Sequence, residues 1–322
     1  MRVGVDVSPL VQTRAGTARH VRGLVQALRG RPGLDLELLT FGGPGRASSV
    51  ARDALWHPVG LARRARRLDL LHCTTFRGPA RAEVPVVVTV HDLAILRFPQ
   101  AFPRWHRQYG RVGLRRVLRA ASAVVAVTEF TKGEVVELTG VGAERVRVVP
   151  NGVDGIFTPE GPRAEGDYVL AVATLEPRKN LALAVEAARL AGVELRVVGA
   201  RGWGGVEVPG WVGEVPDGEL AALYRGARCV LYPSLYEGFG LPVLEAMACG
   251  TPVVTSSGTA MEEVAGGAGV LADPASAEAL AAGIAEVDAR RAELVALGLA
   301  RAAQFTWAAS ADAVEALWKD LA

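Results

Sequence analysis

Short apolar runs alternate with amphipathic stretches along most of the chain. The runs Arg2–Val7 and Val84–Thr89 are almost wholly apolar, as is typical of strands buried on both faces of a parallel sheet. Between such runs, apolar residues recur at helical spacing, for example over residues 21–28. This alternation predicts an α/β fold with doubly wound, Rossmann-like sheets.

Near the middle of the chain, the alternation is interrupted by a stretch rich in proline and glycine. Residues 154–167 contain Pro159, Gly161, Pro162 and Gly166, which predicts a linker. A second series of strands and helices begins at Tyr168. A length of 322 residues also fits two ordinary domains. We therefore predict domains at residues 1–155 and 156–304, followed by a terminal helical segment at 305–322.

Charge is distributed unevenly between the two halves. Residues 1–152 hold 24 Lys and Arg against 11 Asp and Glu, a net charge of +13, whereas the remainder holds 12 against 23, or −11. The arginines cluster in two segments, residues 63–67 and a predicted basic helix at residues 104–119. This pattern predicts contact with an anionic membrane surface or a lipid-phosphate acceptor, with a merely solvated basic face as the alternative. Nucleic acid is not expected as a partner.

Between the strands predicted at 34–41 and 68–74, GGPGRASS predicts a flexible loop.

Three scattered cysteines (Cys73, Cys229 and Cys249) are too few for a disulfide framework or a metal site, which favours a reducing compartment. No signal peptide or membrane-spanning apolar run is evident. We expect a cytoplasmic protein, with peripheral association at the inner face of the plasma membrane as a further expectation.

The most informative stretch is LYPSLYEGFGLPVLEAMACGTPVVT, residues 231–255. It predicts a buried strand, a glycine-broken turn, and a helix that begins near Pro242 and ends at Gly250. The free N–H groups of such a turn and the helix dipole favour phosphate. Glu237 lies before this cradle and Glu245 lies behind it. Two carboxylates around one phosphate cradle predict a bound nucleotide-sugar.

A second turn suited to phosphate follows the strand that starts at Tyr168. It reads Glu176-Pro177-Arg178-Lys179-Asn180 and places two cations before a helix. Lys179 stands out because only three of the 36 basic residues are lysines. A compact ammonium group is therefore expected to be required there.

Two further positions lie at strand ends in the first half. His91 follows the run at 84–89, and ligand sites in open parallel sheets form at the carboxyl ends of strands. Gly16 would let the backbone approach a ligand closely, and Thr17 is a candidate N-cap for the following helix. A structural role for each of these residues is the alternative.

Several of these segments resemble those of one enzyme family. EGFGLPVLE with ACGTPVV is similar to the E-x7-E signature of retaining GT-B glycosyltransferases of family 4, and Glu176–Asn180 is similar to its E-x-R-K-N segment. HDLAILRFPQAFP and VVPNGVD also resemble stretches of this family, the former of its mannosyltransferases. The resemblance implies a GT-B fold, with a cleft between two domains and a terminal helix that crosses back to the first domain.

The resemblance also implies an activity: transfer of a hexosyl group from a nucleoside-diphosphate sugar, of GDP-mannose or UDP-glucose type, with retained configuration. The acceptor would be a sugar, a lipid-linked group or a small molecule. No cofactor and no essential metal are expected, and no convincing Asp-x-Asp metal pair is found. The implied catalytic residues are His91, Arg178, Lys179 and Glu237. The implied donor-binding residues are Gly16, Thr17, Glu176, Asn180, Val212, Gly213, Gly238, Phe239, Gly240, Leu241 and Glu245.

Three alternatives stay open. A nucleotide-sugar 2-epimerase would need more acids and histidines than five His allow, and a phosphorylase would need a cofactor-binding lysine among only three. A non-catalytic nucleotide-sugar-binding subunit would keep the phosphate turns without needing Glu237 or His91. A dinucleotide dehydrogenase is disfavoured because no G-x-G-x-x-G follows the first strand.

Overall fold

The computed structural model describes residues 1–13, 16–102, 107–202 and 204–322. The chain forms two compact units. The first comprises Met1–Gly152 together with Trp307–Ala322, and the second comprises Val153–Thr306. Each unit is built on one six-stranded sheet in which every pairing is parallel. The predicted α/β fold with two Rossmann-like sheets is therefore confirmed.

The sheet of the first unit has the strand order β2-β1-β3-β4-β5-β6. The six strands are β1 (Arg2–Asp6), β2 (Asp35–Leu39), β3 (Leu70–Cys73), β4 (Val86–Val90), β5 (Ala123–Ala126) and β6 (Val146–Val148). The α-helices of this unit span Pro9–Gln12, Gly16–Leu28, Arg46–Ala51, Leu61–Ala65, Ala94–Arg97, Arg115–Ala120, Glu129–Thr139 and Trp307–Leu321. Two π-helical segments, Arg52–Gly60 and Tyr109–Leu114, and two 3₁₀ turns, Pro99–Ala101 and Ala143–Arg145, complete it.

Successive strand residues point to opposite sides of this sheet and build two apolar layers. One layer joins Val88 and Val124 to the helices between β2 and β6, through residues such as Leu61 and Leu118. The other layer joins Val3 and Val5 to helix Gly16–Leu28 and to the C-terminal helix. The strands are buried on both faces, and helices cover each side of the sheet.

The C-terminal helix, Trp307–Leu321, is part of the first unit's core. Its Trp318 is fully buried in the same layer as Val3 and Leu24. Near its start, Trp307 packs so closely on Gly23 that any side chain at that glycine would overlap the indole ring. The helix is therefore as integral to this unit as the strands are.

The sheet of the second unit has the order β12-β11-β10-β7-β8-β9. Its strands are β7 (Tyr168–Val172), β8 (Glu194–Val198), β9 (Trp211–Gly213), β10 (Cys229–Tyr232), β11 (Val253–Ser256) and β12 (Val270–Ala272). Its helices span Leu181–Ala191, Asp217–Gly226, Leu241–Ala248, Ala260–Ala265 and Ala277–Ala302, and a 3₁₀ turn spans Pro177–Lys179. The central strands β7 and β10 pair directly, with Cys229 opposite Val169.

Two local predictions were wrong. Residues 46–49, predicted as part of the flexible loop GGPGRASS, instead belong to the helix Arg46–Ala51, which continues without a break into Arg52–Gly60 and Leu61–Ala65. Thr17 does not cap its helix, because the helix already begins at Gly16. The predicted basic helix at 104–119 falls partly outside the described residues, which resume at Arg107; its remainder is helical through Ala120.

Among the described residues, no helix combines the length and the apolar character needed to cross a bilayer.

Candidate functional site

The two turns predicted to suit phosphate lie side by side in the second unit. They follow β7 and β10, which are neighbours in a parallel sheet, so both turns emerge at its carboxyl edge. The backbone N–H of Leu235 donates to the carbonyl of Arg178 at 2.9 Å. The pairing of two central strands therefore brings together residues that are nearly sixty positions apart.

Asn180 locks the first turn in place. Its backbone is left-handed, with φ of 57°, and it is the only non-glycine residue in the described part of the chain with a positive φ. Asparagine tolerates this conformation better than most residues. Its side-chain Nδ2 donates to the carbonyls of Pro233 at 3.1 Å and Pro274 at 2.7 Å. The side chain of Asn180 thus links its own turn to the segments that follow β10 and β12.

A compact ion cluster forms where the turns meet. Glu237 Oε1 accepts hydrogen bonds from Lys179 Nζ and from the hydroxyl of Tyr232, the latter at 3.1 Å. Glu237 Oε2 accepts from Arg178 Nη1 at 3.2 Å. Arg178 also donates through Nε to Glu176 Oε2 at 2.9 Å and through Nη1 to the carbonyl of Tyr236 at 3.2 Å. One carboxylate therefore holds both predicted phosphate-binding cations.

Burial strengthens the electrostatic interactions between the charged groups of this cluster. Glu237 and Lys179 are each 8 % exposed, and a charge in such surroundings is tolerated only with a partner. Burial acts to raise the pKa of Glu237, but the charges of Lys179 and Arg178 outweigh it and lower that pKa to about 2. Burial together with the Glu237 charge raises the pKa of the Tyr232 hydroxyl well above its usual value. Glu237 is therefore ionised, and Tyr232 neutral, throughout the physiological pH range.

The glycine turn and its helix have the predicted geometry. Gly240 has a φ of 93° and immediately precedes helix Leu241–Ala248, with Pro242 in the first turn. Gly250, at φ of 71°, follows the C-terminal end. Phe239 is buried and packs edge-to-face on Phe305, with ring centroids 6.0 Å apart. The helix thus begins four residues after Glu237 of the ion cluster.

Glu245 occupies a different environment from Glu237. It lies in the second turn of helix Leu241–Ala248 and is only 3 % exposed. The hydroxyl of Tyr224 donates to its Oε2 at 2.8 Å, and Tyr224 is itself fully buried against Phe157. The predicted contact of Glu245 with ribose hydroxyls therefore remains a prediction about a carboxylate that already has an internal partner.

The remaining donor-binding candidates of this unit lie on the strand β9. Val212 is half exposed, and Gly213 has a φ of 96°. The carbonyl of Gly213 accepts from the N–H of Gly199, at the carboxyl end of β8. The strand β9 lies at the end of the sheet and is separated from β7 by β8.

His91 belongs to the first unit, at the end of β4. Its Nε2 bonds the carbonyl of Thr74 at 2.9 Å, so that nitrogen carries the proton and donates. The ring of His20 packs edge-on against it, with centroids 4.6 Å apart, and His20 Nδ1 bonds Asn151 Oδ1 at 2.7 Å. His20 lies on helix Gly16–Leu28, whose first two residues are the candidates Gly16 and Thr17.

Burial keeps these imidazoles neutral. Burial lowers the pKa of His91 below its usual value. Burial also lowers the pKa of His20 well below its usual value, and repulsion from a protonated His91 would lower it further. A third ring, His72, bonds the hydroxyl of Thr89 at 2.8 Å, and burial lowers its pKa to about 3. His91 therefore sits within a group of uncharged histidines. Sequence analysis missed His20 and His72, because their nearness to His91 depends on the sheet order.

Tyr232, Tyr224 and Asn151 were also missed as partners of the candidate residues. Tyr232 and Asn151 stand in quoted motifs, YPSLYE and VVPNGVD, but nothing in the local sequence identifies their partners. Within the described ranges, no group of three or more His, Cys, Asp or Glu side chains is arranged to hold a metal ion.

Comparison with solved structures defines the class of protein. Sucrose-phosphate synthase from Thermosynechococcus elongatus matches the whole chain with a TM-score of 0.79, covering 99 % of that structure at 20 % identity. The Anabaena protein HepE, in complex with UDP and glucose, matches the whole chain and 100 % of its own length with a TM-score of 0.75 at 19 % identity. These similarities, with the two parallel sheets, show the GT-B fold.

Sequence comparison then identifies the family. Residues 14–155 match the model of Glycosyltransferase Family 4, and residues 154–297 match that of Glycosyl transferases group 1. The O-antigen chain mannosyltransferase B of Escherichia coli is 32 % identical, over 94 % of this chain and 84 % of the relative. A D-inositol 3-phosphate glycosyltransferase of Geodermatophilus obscurus is 30 % identical, over 98 % and 78 %. The chain belongs to this family of glycosyltransferases.

Proposed function

We propose that the protein is a retaining hexosyltransferase that takes its sugar from a nucleoside-diphosphate donor and needs no metal ion. The observation that carries this proposal is the cluster of Arg178, Lys179 and Glu237 beside the N-terminal end of helix Leu241–Ala248. Departure of a nucleoside diphosphate requires positive charge where negative charge develops. A guanidinium group, an ammonium group and a helix N-terminus supply it at one sheet edge.

The ion pairs keep the two cations in position before any donor binds. Glu237 accepts hydrogen bonds from Arg178 and Lys179 through its two different carboxylate oxygens. Neither cation then has to be reoriented when the leaving group forms, which is the advantage of a preorganised site. Arg178 is the more accessible of the two, with 21 % of its side chain exposed against 9 % for Lys179. We infer that Arg178 contacts the diphosphate directly and that the less exposed Lys179 contributes its positive charge from a deeper position.

The other candidate residues receive roles that follow from their places. The backbone of residues 238–241 would bind a phosphate oxygen at the helix start. Glu237 would also supply negative charge near the anomeric carbon, and Glu245 would bind the ribose hydroxyls. Glu176 and Asn180 hold the first turn, while Val212 and Gly213 would face the nucleobase. In the first unit, His91 is assigned to the sugar, with Gly16 and Thr17 at the loop before its neighbouring helix.

The relatives suggest the donor. Three mannosyltransferase names among the similar proteins favour GDP-mannose. The Anabaena structure contains UDP and glucose, which makes UDP-glucose the second candidate. For the acceptor we propose a saccharide or a lipid-linked sugar, which the net charge of +13 in residues 1–152 supports.

The test begins with a thermal-shift panel of GDP, UDP, GDP-mannose and UDP-glucose, because a ligand of the folded state raises its melting temperature. With the donor so identified, release of nucleoside diphosphate is measured for Arg178→Ala and Lys179→Ala. Each is expected to turn over about 100-fold more slowly, as when one oxyanion-hole donor is removed. Arg189→Ala is the matched control, since that exposed arginine pairs with Glu186 on a helix surface.

The possible results distinguish the proposed activity from its alternatives. Near-normal turnover by both single variants would refute the role of the cations. Donor binding without any release or transfer would favour a non-catalytic nucleotide-sugar-binding subunit. Conversion of the donor to its 2-epimer would indicate an epimerase, and an inverted anomeric product would refute retention.

A further inference from the structure

The loop after β8 lies closely against the turn that leads to the ion cluster. A side chain at Gly199 would overlap the backbone carbonyl of Ala173. A side chain at Gly202 would overlap the carbonyl of Leu175 in the same way. Only glycine permits two backbones to approach this closely. Arg201 lies between the two glycines, so the loop carries this arginine to the side of that turn.

The side chain of Arg201 is held by an aromatic ring. Its guanidinium carbon lies 4.8 Å from the centroid of the Trp211 indole ring, and the indole Nε1 donates to the carbonyl of Gly199 at 2.9 Å. Arg201 is exposed, and no carboxylate pairs with it among the residues that the structure describes. A planar cation is therefore oriented at this edge of the sheet without being neutralised.

Another stacked arginine of the same unit shows how a purely structural one is satisfied. Arg196 lies 3.9 Å from the ring centroid of Tyr168. Its Nε donates to Glu194 at 2.7 Å, and its Nη1 donates to the carbonyl of Glu165 at 3.0 Å. Arg201 has the ring but no such acceptors in the described ranges. Its N–H groups, which cannot lose their charge, are therefore available to a ligand.

The position of Arg201 along the sheet edge indicates which part of a ligand it would meet. The ion cluster lies after β7 and β10, and Arg201 follows β8, which is the next strand on the side of β9. Neighbouring strands are about 4.8 Å apart, so Arg201 lies to one side of the cations proposed for the diphosphate. A nucleoside diphosphate that extends from the ion cluster toward β9 would bring its base to Arg201 and to the half-exposed Val212.

From this arrangement we propose that Arg201 selects the nucleobase of the donor by binding O6 and N7 of guanine. The inference rests on the proposed function, because it requires a nucleoside-diphosphate donor. Two parallel N–H groups of a guanidinium match these two acceptors. Adenine presents an amino group in place of O6, and uracil has no N7, so neither base can accept both hydrogen bonds. Stacking on the indole fixes the plane of the guanidinium before the base arrives.

The test measures binding of GDP, ADP and UDP to the full-length protein by isothermal titration calorimetry, without sugar or acceptor. Wild type should bind GDP most tightly. Arg201→Met keeps the length of the side chain but removes its donors, and it should weaken GDP binding about 10- to 100-fold, as expected for the loss of one bidentate pair. Binding of ADP and UDP should change by less than about twofold.

A modified nucleotide examines the contact at a single atom. In 7-deaza-GDP a C–H group replaces N7, so wild type should bind it more weakly than GDP. Arg201→Met should bind the two nucleotides equally, because the partner of N7 is then absent, as in a double-mutant cycle.

Arg196→Met is the matched control, since it removes a stacked arginine of the same unit that already has partners within the protein. Its affinities should stay within about twofold of wild type. Cooperative melting above the assay temperature would show that both variants are folded.

Three results would overturn the inference while leaving the proposed function standing. They are an equal loss of GDP, ADP and UDP binding in Arg201→Met, as expected of a cation that binds phosphate; tighter binding of UDP than of GDP by wild type; and a variant that still distinguishes GDP from 7-deaza-GDP. Failure of wild type to bind any of the nucleoside diphosphates would refute the proposed function as well.

Discussion

Replacing Glu237 by glutamine removes one negative charge from the ion cluster while keeping the shape of the side chain. Lys179, which is 8 % exposed, would then remain buried without its carboxylate partner, and Arg178 would lose one of its acceptors. Breaking a buried pair from one side costs much more than the pair contributes net, because the remaining charge stays desolvated.

The magnitude follows from the pKa of the carboxyl group. Burial alone would raise it, but Lys179 and Arg178 bring it from the ordinary 4.5 down to about 2. That difference corresponds to about 3 kcal/mol by which the folded state favours the ionised form. We therefore expect Glu237→Gln to destabilise the two joined turns by about 3 kcal/mol, which is within the range for a broken buried pair.

Hydrogen exchange measured by mass spectrometry is the appropriate assay, since it reports local opening within one unit. In peptides covering residues 176–181 and 229–240, protection should fall about 100-fold at pH 7, as about 3 kcal/mol implies. Glu186→Gln serves as the control, because Glu186 pairs with Arg189 on an exposed helix surface of the same unit. Its exchange should match that of wild type.

The effect also has a predicted dependence on pH. Because the folded-state pKa of Glu237 is lowered, its contribution is fully present above 4.5 and is lost as the pH falls toward 2. The difference in urea stability between wild type and Glu237→Gln should therefore shrink across that window. Wild-type protection in the variant, or a difference that grows on acidification, would refute the electrostatic account of the cluster.

Three further predictions concern other sites. Gly240→Ala places a side chain at φ of 93° and should cost about 1–2 kcal/mol, seen as a lower melting temperature; Gly218→Ala, in open space within helix Asp217–Gly226, should be neutral or stabilising. Tyr224→Phe leaves the Glu245 carboxylate without its hydroxyl donor and should destabilise by about 1–3 kcal/mol in urea unfolding, a result contradicted by an unchanged midpoint. The imidazole of His72, with its pKa of about 3, should stay neutral down to about pH 4 in ¹⁵N NMR of the native protein, whereas protonation near 6.5 would contradict its burial.

Much of the fold could be predicted from the sequence, because its signals are local. Buried parallel strands appear as unbroken apolar runs. Pro242 fixes its own φ at a helix start, and Gly250 adopts the left-handed conformation that follows a helix end. The predicted start of helix Gly16–Leu28 was wrong because a threonine near a helix start fits the pattern of an N-cap whether or not it caps the helix. The helix at 46–51 was missed because Gly, Pro and Ser are typical of loops, whereas here the run is held by Leu61 and Ala65 in the core.

The candidate site could be predicted only in part. Arg178, Lys179 and Glu237 can be identified from the sequence because they lie in turns suited to phosphate. The binding of both cations by the one carboxylate of Glu237 cannot be identified in this way, because it depends on the pairing of β7 with β10. The same limit applies to His20 beside His91, which lie about seventy residues apart in the chain. Contacts between residues far apart in the chain depend on the order of the strands in the sheet. The local sequence around either residue does not reveal that order.

The first unit takes in both ends of the chain, with Trp318 completing a core that begins at Val3. During synthesis on the ribosome, which proceeds from the N-terminus, residues 1–152 emerge before the second unit yet lack the helix Trp307–Leu321 until that later segment has been made. The second unit, Val153–Thr306, has all of its strands and helices earlier. The half of the chain that is made later is therefore the half that can finish folding first, and a truncated product would leave the apolar layer around Val3 and Leu24 uncovered.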